Sequence, residues 1–168
     1  MIIELGYPIH EMQTTPFKQV VQRLKDEHDA LKKELDLVQD KTNHLRGSDE
    51  WTDLLREIRK QMAAFMTQLE EHEHWEEEEV LPLLARYANQ GMEPSFITST
   101  WVMEEDHKQA ERFVRSFNEI ADQCMATNGK ELKRVISLLR VACSVLNEHL
   151  LAEEEMFFPV ADQMLNER

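Results

Sequence analysis

The chain has 168 residues, enough for one domain whose apolar core needs no disulfides. Alanine, leucine, glutamate and lysine abound beside only 4 glycines and 5 prolines, a balance that favours helices over sheets. A formal charge of −14 argues against nucleic acid or an anionic membrane as the main partner, and no stretch is expected to span a bilayer.

The opening "MIIELGYPIHEMQTTP" has no basic segment leading into a long apolar run, so no signal peptide is expected. Residues 1–14 read as an N-terminal arm, and residues 15–168 as a single helical bundle. "TTP" at 14–16 offers a cap and a first-turn proline for a helix over about 15–45. "RGSDE" at 46–50 is a turn, with Ser48 or Asp49 capping a second helix over about 49–87. "ANQGMEPSF" separates it from a third over about 94–125, and "ATNGKE" separates that from a fourth over about 129–165. Short links imply antiparallel neighbours, an all-α, up-down-up-down four-helix bundle. Cys124 and Cys143 lack CxxC spacing and read as two reduced thiols packed on helices, consistent with the cytoplasm.

Along each helix the apolar residues step by three and four, the seam of bundle packing. The seam runs Phe17, Val21, Leu24, His28, Leu31, Leu35, Val38 in the first helix. In the second it runs Leu55, Ile58, Met62, Phe65, Leu69, His72, Glu76. The third reads Phe96, Thr100, Met103, His107, Ala110, Val114, Phe117, and the fourth reaches Leu146, His149, Glu153, Met156, Val160. Six polar residues thus sit where the pattern asks for apolar ones. They also repeat: "EHxxxEEExxxP" occurs at 71–82 and again at 148–159, and nearly the same interval separates His28 from His72 as His107 from His149. The chain reads as two copies of one helical hairpin.

An ionised carboxylate buried without a partner costs several kcal/mol, so two of them demand compensation. Residues i and i+4 share a helix face, which projects His72 with Glu76 and His149 with Glu153. Four imidazoles and two carboxylates meeting in an apolar interior make a metal site by composition. Symmetry assigns His28 and His72 to one ion, His107 and His149 to another, with Glu76 and Glu153 bridging. Solvent or a small exogenous ligand would complete each shell. Glu77, Glu78, Glu154 and Glu155 read as solvated, one of them able to accept a hydrogen bond from an imidazole. His74 should be exposed, Glu79 falls on the seam, and Pro82 and Pro159 should kink the chain near the site.

At these residues the chain resembles the hemerythrin-like, or HHE cation-binding, domain family, through "HEHWEEEEVLP" (72–82), "HLLAEEEMFFP" (149–159) and the His28 and His107 helices. The resemblance implies a non-haem di-iron centre: two iron ions, oxo- or hydroxo-bridged, with His28, His72, His107 and His149 as terminal ligands and Glu76 and Glu153 as bridges. It departs from the oxygen-carrying members, which have a fifth histidine where this chain has Glu111; His44 is a candidate replacement. The fourth-helix bridge is a glutamate four residues on rather than an aspartate five residues on. The expected function is therefore binding of, or reaction with, dioxygen or a related diatomic such as nitric oxide in sensing or stress response. Two alternatives stay open: a di-iron oxidase or a nitric-oxide- or peroxide-reducing enzyme, including the iron–sulfur-repair type, and an iron-storage module, with zinc as a substitute ion.

Overall fold

The computed structural model describes residues 11–88 and 95–166, and among these every regular element is a helix. They form α1 (Glu11–His44), α2 (Trp51–Trp75), a π-helical segment (Glu76–Val80), α3 (Leu81–Ala88), α4 (Ser95–Ala126) and α5 (Leu132–Asn166). Residues 1–10 of the expected arm, most of the "ANQGMEPSF" boundary and the side chains of Phe96, Thr100 and Met103 lie outside what is described.

Four long helices close on one another as a bundle: α1 packs against α2 and α5, and α4 packs against the same two. Cross-helix pairs mark their relative placement. Lys41, late in α1, meets Glu57, early in α2, whereas Glu27 meets His72. Arg59 meets Asp122 and Glu73 meets His107 between α2 and α4; Arg140 meets Asn43 and Lys25 meets Asp162 between α5 and α1.

Helix ends follow local chemistry, with two departures. Within the described residues α1 already includes Glu11, so Pro16 is not in its first turn; good helix formers ahead of "TTP" carry the helix back past the expected cap. Glu50, not Ser48 or Asp49, takes the N-cap position of α2; the Ser48 hydroxyl instead accepts from the Glu50 N–H at 3.2 Å. The turn into α5 agrees with the reading. Asn128 and Gly129 adopt positive φ, and the Gly129 N–H reaches the Cys124 carbonyl at 3.0 Å, closing the end of α4.

The second and fourth helices differ where the sequence motif repeats. Pro159 sits within the continuous α5, but Pro82 is preceded by the π-helical segment, in which the Leu81 N–H reaches back five residues to the Glu76 carbonyl. The widened turn moves the seam on by one residue. Glu79, expected on the seam, is exposed, and Val80 is buried in its place.

The apolar interior is in two parts. The larger holds Leu31, Leu35, Phe65, Phe117, Leu139 and Leu146 among others; the smaller holds Phe17, Leu24, Trp75, Leu84 and Phe157. Where the two meet along the helices, on the same seams, fall His28, His72, Glu76, His149 and Glu153, all buried. α5 is long and apolar enough to cross a membrane by length and composition, contrary to expectation, but its apolar residues, from Val135 to Met164, supply the core.

Candidate metal centre

The i, i+4 spacing does what the helix geometry requires. His72 Nε2 lies 3.2 Å from Glu76 Oε1, and His149 Nε2 lies 2.8 Å from Glu153 Oε1. α1 brings His28, whose Nε2 stands 3.4 Å from Glu76 Oε1 and 3.5 Å from Glu153 Oε2. α4 brings His107, whose Nε2 stands 2.7 Å from His149 Nε2 and 3.5 Å from Glu153 Oε1. All four imidazoles therefore turn Nε2 towards the same small region.

Two clusters result. His28, His72, Glu76 and Glu153 each place a ligand atom within 4.8 Å of the others, and Glu73, His107 and His149 do the same. Glu153, of the first, also adjoins the second: Oε2 faces His28 while Oε1 faces His107 and His149. The Glu76 carboxylate lies against His28 and His72. The six residues singled out from the sequence come together, His28 beside His72 with Glu76, and His107 beside His149, with Glu153 between.

Glu73 is the residue that sequence reasoning missed. Its Oε1 is 3.1 Å from His107 Nε2 and 4.0 Å from His149 Nε2. It lies one residue round from the seam, on the flank of α2 facing α4. The second copy of the repeat has Leu150 at the matching place, so symmetry pointed away from it. The other candidates stand apart. His44 is exposed and its Nδ1 bonds the Asp40 carbonyl at 2.7 Å; Glu111 is exposed; His74 is exposed, as expected, 3.4 Å from Glu78. Of the four glutamates expected to be solvated, Glu154 lies beside an imidazole, 3.5 Å from His28 Nδ1, without a hydrogen bond between them.

The electrostatics are those of a site short of positive charge. Burial disfavours the His72 imidazolium, yet Glu76, Glu27 and Glu153 outweigh it and raise its pKa to about 9. Burial, with the Glu153 and Glu76 charges nearby, lifts Glu73 to about 7 against the pull of His107. Burial would also raise Glu153, but hydrogen bonds from His107 and His149 hold it well below the usual carboxylate range.

The donor set fits a metal ion. His72 Nε2, Glu153 Oε2 and Glu73 Oε1 are buried without a hydrogen-bond partner, each directed into a cluster that contains both nitrogen and carboxylate donors. An orphaned buried polar atom ordinarily costs about 1–3 kcal/mol, which a bound divalent cation would offset. A groove of about 440 Å³ between α2 and α4 reaches Glu73 and His107 from the surface, past Glu70, Glu111 and Arg115.

The sequence matches the hemerythrin HHE cation-binding domain over residues 19–161, most of the chain. Neither the curated proteins nor the solved structures compared with it give a match. The chain belongs to the hemerythrin HHE cation-binding family, and its buried His/Glu cluster marks it as a metal-binding protein.

Proposed function

We propose that this protein holds two iron ions side by side, one between His28 and His72 and one between His107 and His149, with Glu76 and Glu153 as bridges, and that it binds or reacts with dioxygen or a related diatomic in sensing or stress response. The observation that carries the reading is Glu153, whose two oxygens face different pairs of imidazoles. The cross-helix pairs described above support an up-down-up-down bundle of two repeated hairpins around that layer.

Iron in such a nitrogen–carboxylate set would supply reversible one-electron chemistry and open positions for a small ligand. The chain's own groups define what reaches it. Leu24, Leu69, Phe157 and Leu146 exclude bulk water from the layer, while the α2–α4 groove admits a small molecule to the His107 side. Glu73 stands beside that opening, 3.1 Å from His107 Nε2, a carboxylate within reach of whatever enters. The same opening is what favours the second reading, turnover of peroxide or nitric oxide rather than reversible binding.

Residence in the cytoplasm is part of the proposal, and two free, buried cysteines accord with it. Metal content and an optical spectrum, in air and after anaerobic reduction, test the whole. Two irons per chain with near-ultraviolet absorption that bleaches on reduction are expected. Zinc alone, or one metal with no bleaching after growth in iron-supplemented medium, would remove the redox reading.

A further inference from the structure

The two clusters are not backed alike. His72 donates its Nδ1–H to Glu27 Oε2 at 2.8 Å, and the other Glu27 oxygen accepts from Arg23 Nε at 2.6 Å. The Arg23 guanidinium in turn lies 3.9 Å from the centre of the Trp75 ring, which fixes it from the far side. Behind His28 the contact is looser: Glu154 Oε1 lies 3.5 Å from His28 Nδ1, which has no hydrogen-bond partner among the described residues, and 2.6 Å from Lys32 Nζ. Each histidine of the first cluster therefore has a carboxylate near its outer nitrogen, hydrogen-bonded in the case of His72 alone, and each carboxylate is held by a cation.

Among the described residues the second cluster has no such carboxylate behind it: every carboxylate near His107 or His149 lies on the Nε2 side, and His149 Nδ1, like His28 Nδ1, has no hydrogen-bond partner. His107 is 15% exposed, against 0% for His28, and the larger groove opens on it. A smaller hollow of about 240 Å³ touches His72 from outside, but Arg23 and Glu27 themselves line it.

A carboxylate behind a ligating imidazole fixes its tautomer and makes the inward nitrogen more basic, and its loss costs about 10–100-fold in metal affinity. We propose that Glu27 and Glu154, held by Arg23 and Lys32, are positioning residues that make the first cluster the tight, slowly exchanging metal position and leave the second as the readily exchanged one. This rests on the two-metal reading above.

The test loads the full chain anaerobically with iron(II) and follows its release to an excess of ferrous chelator. Two phases of equal amplitude are expected. Glu27→Gln keeps the size of the side chain but removes its charge; it accelerates the slow phase about 10–100-fold and leaves the fast phase unchanged. Arg23→Gln and Glu154→Gln act on the same phase by smaller factors. The midpoint potential of the slowly released iron rises in Glu27→Gln, because a less basic imidazole favours the ferric ion less; a merely structural residue would not shift one phase and one potential together. Release of both irons in a single phase, or equal effects of these variants on both phases, overturns the inequality and leaves the two-metal reading standing. Uptake of fewer than two irons overturns both.

Discussion

Glu153 is buried with one oxygen towards each pair of imidazoles, so its removal is felt on both sides. Glu153→Gln is expected to lose metal from both clusters, and the stabilisation that metal gives the fold goes with it. Glu76→Gln, by contrast, should act first on the His28–His72 pair against which that carboxylate lies. Metal content of each variant, with thermal melts before and after adding iron(II), separates the two. Elsewhere, burial pushes the Cys143 thiol up to about 11, so little thiolate exists at neutral pH. Cys143 should stay unlabelled by a thiol reagent at pH 7 until denaturant is added; rapid labelling of the folded protein would contradict its placement.

At the scale of elements, the turn between α4 and α5 depends on Gly129. Its φ of +85° disfavours any side chain, and a Cβ there would stand 3.3 Å from the Trp51 ring. Gly129→Ala is expected to destabilise the protein by about 1–2 kcal/mol, measured by urea unfolding, with metal stoichiometry unchanged. Helix number and core faces were legible because the three-and-four spacing of apolar residues is a direct image of helix packing. The π-helical segment was not. A 3.6-residue period extends through any helical stretch, so it placed Glu79 inward where the widened turn before Pro82 places Val80. The six seam histidines and glutamates were readable because each breaks an apolar pattern at its own position. Glu73, Glu27 and Glu154 break nothing on their own helices; what they do appears only when another helix arrives beside them.

For the whole molecule, the charged layer predicts opposite pH behaviour with and without metal. His72, raised to about 9, contributes stability that is fully present below its unfolded value near 6.5 and is lost as pH climbs through 9. Glu73, raised to about 7, likewise favours the fold below its ordinary range and ceases to do so as pH passes 7. Glu153, depressed, contributes above the ordinary carboxylate range and is lost in acid. The metal-free chain should therefore be most stable at weakly acidic pH, with a melting temperature that falls from pH 6 to pH 9. Metal must displace the protons held by His72 and Glu73, so the rise in melting temperature on adding iron(II) or zinc(II) should grow over that same interval. Melts at three pH values, with and without metal, check both slopes.

The interior split into a larger and a smaller apolar cluster has a consequence for cooperativity. Without a cation, the contacts joining Phe17, Trp75 and Phe157 to the rest must pass through a layer of buried charged groups with orphaned polar atoms, and that end of the bundle becomes a separate melting unit. Amide exchange in the metal-free protein should then be faster along residues 17–24 and 157–164 than along 31–38, and the difference should close when metal is added. The ordered length of the bundle would itself report whether the ions are present, turning occupancy of a buried site into a change at the molecule's end.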